Sequence, residues 1–130
     1  MQFPVTSLYA VPASIIYLVL WMRVSGVRSE TGISFGDGGN PKLLQRIRQH
    51  GNCAEWTVFL LVLMILAEGA GAPAMWLHVS GVLLLVGRLA HPFGLKPDNA
   101  GHPLRYLGNG PNLLASLNAL VWIAINLRGL

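Results

Sequence analysis

The residues best placed for chemistry begin with RIRQHGNCAEW, the segment from Arg46 to Trp56. Within it, Arg48, Asn52 and Glu55 are spaced i, i+4, i+7, a pattern that puts all three side chains on one face of a helix. A guanidinium, an amide and a carboxylate on one face form either a site for a charged ligand or a self-neutralising Arg48–Glu55 pair. The spacing alone leaves both interpretations open.

A second polar segment, GRLAHPFGL, carries Arg88 and His91. Their i, i+3 spacing places them on a common helix face. Considered alone, an arginine at the end of a membrane helix typically extends to the lipid head groups. A histidine at such a position typically lies in the membrane interface. Together with the first segment, the pair predicts a polar cluster in an apolar chain, where each ionisable residue needs a partner or a function.

Other chemistries find little support in the sequence. The four histidines and the single cysteine, Cys53, lack the ligand spacing of a metal site, and we expect no metal. No phosphate-binding GxxxxGK[ST] segment and no GxSxG nucleophile motif is present. Cys53 lies off the polar helix face and is interpreted as a packing residue. Nucleic-acid binding is not expected, because the basic residues are divided among separate loops without interleaved aromatics.

The composition indicates that the elements positioning these residues lie in a membrane. The 130 residues are 53% apolar and 11% charged, with a formal net charge of +4. A soluble domain carries about 25% charged residues. The length allows one domain, and the apolar residues are concentrated in four runs. We therefore expect an all-α integral membrane protein.

The four runs predict a single four-helix transmembrane bundle over residues 1–130, with helices at about 5–23, 41–67, 73–92 and 104–128. Asn40 followed by Pro41 is a typical helix start and defines the beginning of helix two. The start of helix four is ambiguous. It begins either at Pro103, with a kink at Pro111, or at Pro111 itself.

Basic residues predict the orientation of the bundle. Eight of the nine Lys and Arg residues lie between runs one and two or between runs three and four. The hairpin between runs two and three, EGAGAPA, has none. The positive-inside rule therefore places both long loops in the cytoplasm and both termini outside.

The two polar segments, the GDGG loop before helix two and the AEGAGAP turn after it together resemble the MAPEG family, the membrane-associated proteins of eicosanoid and glutathione metabolism. The similarity runs from about Leu8 to the end of the chain and is nearest the prostaglandin E synthase and microsomal glutathione transferase branch. It implies a homotrimer of four-helix protomers that bind glutathione between neighbouring protomers, near the cytoplasmic side.

The resemblance also implies roles for individual residues. Five positions match the family's glutathione contacts on helices two and three: Arg48, Asn52, Glu55, Arg88 and His91. The family's thiolate-stabilising arginine lies early in helix four, where this chain offers Arg105. Arg23 and Arg28, which follow run one, are the alternatives for that role. The chain departs from the family at two positions, because Trp56 and Leu95 stand where many members have tyrosine.

The activity implied is that of a glutathione-dependent transferase or peroxidase acting on lipophilic electrophiles that arrive from the surrounding lipid. The alternatives are a non-catalytic scaffold of the same fold that binds lipid or glutathione, and a structural membrane protein whose charges only lock the bundle. The expected partners are membrane lipid, glutathione, a lipophilic small molecule and further copies of the chain. The short length favours a bacterial inner membrane over endoplasmic reticulum.

The predicted orientation can be tested at the GDGG loop. A Ser34→Cys variant should resist a membrane-impermeant thiol reagent in intact cells and react after the membrane is permeabilised, because eight of nine basic residues lie on that side. Labelling of intact cells would reverse the orientation.

Overall fold

The computed structural model describes residues 2–127 and contains four α-helices in that range: α1 Pro4–Thr31, α2 Pro41–Gly69, α3 Ala74–Gly94 and α4 Pro103–Leu127. Each helix is long enough and apolar enough to cross a membrane. The prediction of an all-α bundle of four transmembrane helices is therefore confirmed. The expected last residue of helix four, Arg128, lies outside the described residues.

Two helix boundaries show how local chemistry extends or starts a helix. α1 continues from the end of its apolar run near Arg23 to Thr31, and Gly32 then ends it in a left-handed conformation, at φ 69°. α4 begins at Pro103 and passes through Pro111 without ending. A proline is well tolerated in the first turn of a helix, where the backbone N–H would have no partner.

The helices run alternately up and down, so that the two long loops share one end of the bundle. At that end Gln45, near the start of α2, donates from Nε2 to the backbone oxygen of Leu95, just after α3, at 2.7 Å. α2 and α3 contact each other and both outer helices. Among residues 2–127, no Cα atom of α1 lies within 8 Å of a Cα atom of α4. We call the end that holds the two long loops the loop end.

α3 and α4 pack against each other through glycine. A Cβ atom added to Gly108 would lie 2.5 Å from Cβ of His91. A Cβ added to Gly94 would overlap the backbone at Arg105, and one added to Gly87 would overlap the side chain of Asn112. Small residues at these positions let two membrane helices approach until their backbones touch.

Polar side chains add hydrogen bonds to the α3–α4 contact. The fully buried Asn112 donates from Nδ2 to the backbone oxygens of Leu83 and Leu84, at 2.9 and 3.2 Å. Ser80 donates from Oγ to the backbone oxygen of Ala115 at 3.2 Å. In a membrane such bonds contribute modestly, at about 0.6 to 2 kcal/mol each, but they fix the register of the two helices.

Glu68 joins α1 to α2 at the end opposite the long loops. Its carboxylate accepts hydrogen bonds from the backbone N–H groups of Val5 and Thr6, at 2.9 and 2.8 Å, and from the Thr6 hydroxyl at 2.6 Å. The residue before α1, Phe3, makes no side-chain cap. Glu68 therefore supplies the N-terminal cap of α1 from a neighbouring helix, where a negative charge also complements the helix dipole.

α1 buries a narrow stripe and exposes the rest of its apolar surface. Its buried residues recur at every seventh position, at Thr6, Ala13, Leu20 and Val27. Large side chains on its other faces, such as Val11, are more than half exposed. Exposed apolar surface of this extent is expected where a helix faces acyl chains.

The glycine contact between α3 and α4 predicts a matched pair of variants. Gly108→Ala should lower the free energy of unfolding by about 1–3 kcal/mol, because the new methyl group overlaps His91. Gly110→Ala, on the same helix, meets nothing within 4 Å and should be neutral or slightly stabilising. Thermal unfolding in detergent measures both. Equal stability of the two variants would contradict the close approach.

Candidate functional site

A cleft of about 290 Å³ opens at the loop end, between α2, α3 and the start of α4. Its volume is close to the lower limit of the range of about 300–1,000 Å³ that is usual for small-molecule sites. The residues that line it are Pro41, Leu44, Gln45, Arg48, Asn52, His91, Leu95, Lys96, Pro97, Arg105 and Asn109.

Four of the six residues singled out from the sequence meet in this cleft: Arg48, Asn52, His91 and Arg105. Glu55 is exposed and does not line it. In the described part of the chain, the one ion pair joins Lys42 to Glu30 at 3.1 Å. Arg48 and Glu55, which lie about two helical turns apart, therefore do not neutralise each other within the protomer.

Arg88 lies behind the cleft, in the interior of the bundle, with 1% of its surface exposed. Its guanidinium donates to Oδ1 and the backbone oxygen of Asn52, at 2.7 and 3.2 Å, and to the backbone oxygen of Gly108 at 2.8 Å. One side chain on α3 thus holds α2 and α4 at the same time. The bonds to Asn52 also fix the amide that lines the cleft.

Trp56 covers the same guanidinium. The Arg88 Cζ atom lies 5.9 Å from the centroid of the Trp56 ring, within the range of a cation–π contact. The flat indole, which stands where the resembled family often has tyrosine, therefore shields a buried charge. Cys53, one turn before Thr57, is 1% exposed and lies 3.7 Å from its hydroxyl. This burial agrees with its interpretation as a packing residue.

Two polar atoms in the cleft wall lack a hydrogen-bond partner among residues 2–127: Nδ1 of His91 and Oδ1 of Asn109. His91 is 2% exposed, and its ring is held against Gly108. A buried polar atom without a partner is costly, so such atoms in a cleft indicate that a ligand or water completes the bonding.

The charge of the cleft is uniformly positive. Arg48, Lys96 and Arg105 line it, and none of the lining residues in the described chain is Asp or Glu. Three cations that converge without a counter-charge favour an anionic ligand, and arginine in particular binds carboxylates in a bidentate manner.

The sequence pattern missed several lining residues. Gln45 and Asn109 were identifiable from spacing, because each lies on the helix face of a recognised arginine, at i−3 from Arg48 and i+4 from Arg105. Lys96 lies in the loop after α3, and helical spacing does not place loop residues. Gln49 of α2 holds the last turn of α3, just before that loop, since its Nε2 donates to the backbone oxygen of Pro92 at 2.6 Å.

Arg23, Arg28 and His50 do not line the cleft. Arg28 donates to the backbone oxygens of Ile33 and Gly36, both at 3.0 Å, and so holds the loop after α1. Arg23 also lies outside the cleft. His50 packs on Tyr17 of α1, with 4.8 Å between the ring centroids.

Comparison with known proteins agrees with this architecture. The family model described as the MAPEG family matches residues 6–125. The chain is 37% identical over 90 residues to the inner membrane protein YecN of Escherichia coli K12, a match that covers 69% of each chain, and the YecN of Escherichia coli O6:H1 matches equally well. No solved structure matches the chain.

The contacts of Arg88 predict that this residue stabilises the fold. Arg88→Met keeps most of the side-chain volume but leaves the backbone oxygen of Gly108 and the side chain of Asn52 without their donor. The free energy of unfolding should fall by about 2–4 kcal/mol. Arg48→Met removes an exposed guanidinium from the cleft and should change stability by less than about 0.5 kcal/mol. Equal losses in thermal unfolding would refute the distinction between the two arginines.

Proposed function

The chain belongs to the MAPEG family, and from that membership and the geometry of the cleft we propose that it is a membrane-bound, glutathione-dependent transferase or peroxidase acting on lipophilic electrophiles. The chain is a multi-pass membrane protein of a family associated with glutathione and eicosanoid metabolism. The proposed activity is argued from the cleft.

The observation that carries the proposal is a cleft with three cations and no acidic lining residue in the described chain. Glutathione has two carboxylates, one ammonium group and a thiol, so it offers two anions for bidentate contacts. We assign its carboxylates to Arg48 and Lys96 and its amide groups to Asn52 and His91. Glutathione would then give Nδ1 of His91 the partner that it lacks among residues 2–127.

Arg105 is assigned to the chemical step. It lies in the first turn of α4 and lines the cleft, so the thiol would meet both a guanidinium and the positive end of a helix. A free thiol has a pKa of about 8.5, and a nearby cation lowers it so that thiolate forms near neutral pH. The thiolate attacks the electrophilic carbon, a C–S bond forms, and the leaving group departs with the bonding pair.

Arg88 is a positioning residue in this proposal. Its bonds to Asn52 and Gly108 set the distance between α2 and the start of α4. Gly108 lies one turn after Arg105, so the same contact places the guanidinium of Arg105 relative to the ligand held by α2.

Glu55 supports a site shared between protomers. The ammonium group of glutathione needs an anionic or neutral acceptor, and the lining of a single described chain offers no carboxylate. Glu55 is an exposed acid on α2, the helix that also carries Arg48 and Asn52. We assign it to the ammonium of a glutathione molecule bound in a neighbouring protomer of a homotrimer.

A non-catalytic scaffold that binds lipid or glutathione is the second candidate. Leu95 lines the cleft at a position where many family members place a tyrosine, so a hydroxyl is missing from the wall. A scaffold would keep the affinity for glutathione and show no thiolate formation.

The relative's name supports a location in the inner membrane of a bacterium. The distribution of basic residues supports a cytoplasmic position for the loop end and the cleft, in the compartment where the glutathione pool keeps thiols reduced.

The assignment of the chemical step predicts the behaviour of Arg105→Leu. Affinity for glutathione should stay within a few-fold of the parent protein, while turnover with an aryl halide or a lipid hydroperoxide falls by about 10²–10³. Ultraviolet absorbance of the bound thiolate, measured against pH, should show a raised thiol pKa. Arg23→Leu and Arg28→Leu are the controls. A raised thiol pKa in either control, with an unchanged one in Arg105→Leu, would move the role to that residue.

A further inference from the structure

A second cavity lies between α1 and α3, on a side of the bundle that the cleft does not use. It is a groove of about 220 Å³. Its walls come from both helices, and most of its lining is apolar. The residues used below are Ile15, Ile16, Val19, Arg23, Leu89 and Phe93.

The groove is lined mainly by apolar side chains. Val19, Leu89 and Phe93 are each about half or more exposed, so the groove opens toward the bilayer. The buried Leu20 and Pro92 form its inner side. At about 30 Å³ for a water-sized group, the volume leaves room for a short length of one acyl chain. An apolar groove between two membrane helices is therefore open to a lipid tail.

Arg23 gives this groove a charged end. It lies close to the last turn of α3, whose final residues include Phe93, while α1 continues for two more turns toward the loop end. The next acid along α1, Glu30, is seven residues away and pairs with Lys42. In the described chain Arg23 forms no ion pair and donates no side-chain hydrogen bond. Its charge at the rim of an apolar groove is uncompensated.

The other arginine of the groove is not available to a ligand. Arg88 contributes to the wall, but its guanidinium is committed to Asn52 and Gly108. Arg23 alone is left to bind a group that enters from outside. A guanidinium at the rim of an apolar groove can bind the phosphate of a phospholipid while an acyl chain of the same lipid lies in the groove.

We propose that the α1–α3 groove is a binding site for an anionic phospholipid, with one acyl chain between Ile16, Val19 and Leu89 and the phosphate on Arg23. Arginine binds phosphate through two parallel N–H···O bonds, which a zwitterionic head group satisfies less well because its own cation competes. The site is separate from the cleft and does not depend on glutathione binding.

The test compares lipid retention by the full-length protein in detergent. Native mass spectrometry after incubation with phosphatidylglycerol or phosphatidylcholine gives the bound fraction for each. Arg23→Gln should weaken phosphatidylglycerol binding by roughly tenfold, the loss of one charge-assisted contact, and Arg23→Lys should recover part of it. Lys42→Gln, which removes one charge at the same end of the protein outside the groove, should change it less than twofold.

A second variant tests the apolar part of the site while keeping Arg23. Val19→Trp fills the groove from a half-exposed position, where the fold tolerates a larger side chain. It should reduce phosphatidylglycerol retention about as much as Arg23→Gln. Equal retention of the two lipids by the parent protein would overturn the proposal, as would equal effects of Arg23→Gln and Lys42→Gln. A change of oligomeric state in Arg23→Gln with lipid binding intact would assign the residue to a protein partner instead. Glutathione affinity should be the same in all these variants.

Discussion

The buried guanidinium of Arg88 is the interaction on which the arrangement at the loop end depends. A charge in the interior of a membrane bundle is costly unless it is hydrogen-bonded. Here Asn52 and the backbone oxygen of Gly108 accept three bonds from the guanidinium, while its Nε has no partner among residues 2–127. The indole of Trp56 covers its face. Because the partners belong to α2 and α4, one side chain sets the spacing of the two helices that form opposite walls of the cleft.

This contact requires glycine on both sides of the α3–α4 interface. The Arg88 guanidinium reaches a backbone oxygen of α4 because Gly108 has no side chain to hold the helices apart, and Gly87 and Gly94 give the same close approach above and below it. His91 then packs closely against Gly108, and Nδ1 of its ring has no partner among residues 2–127. At the loop end, the same glycines that let α3 and α4 approach each other therefore also position the large polar side chains of the cleft.

The sequence predicts the elements better than the roles of their residues. Four apolar runs are enough to predict four membrane helices, and the Asn40–Pro41 pair marks where α2 begins. Helical spacing also brings Arg48 and Asn52 to one face. It does not distinguish Arg88 from Arg48, because the difference lies in contacts with Asn52 and Gly108, which are distant in sequence. Glu55 shows the same limit, since its partner depends on what covers the exposed face of α2.

The cap that Glu68 provides for α1 constrains how the protein enters the membrane. Until the end of α2 is in place, the first N–H groups of α1 and the Glu68 carboxylate each lack the partner that they have in the folded protein. These groups lie at the ends of the two helices, and all of them gain partners when α1 and α2 meet, which favours their pairing as a hairpin. Biogenesis should then proceed through an α1–α2 pair that is already joined at the far side of the bilayer, onto which α3 and α4 dock later as a second, glycine-packed pair.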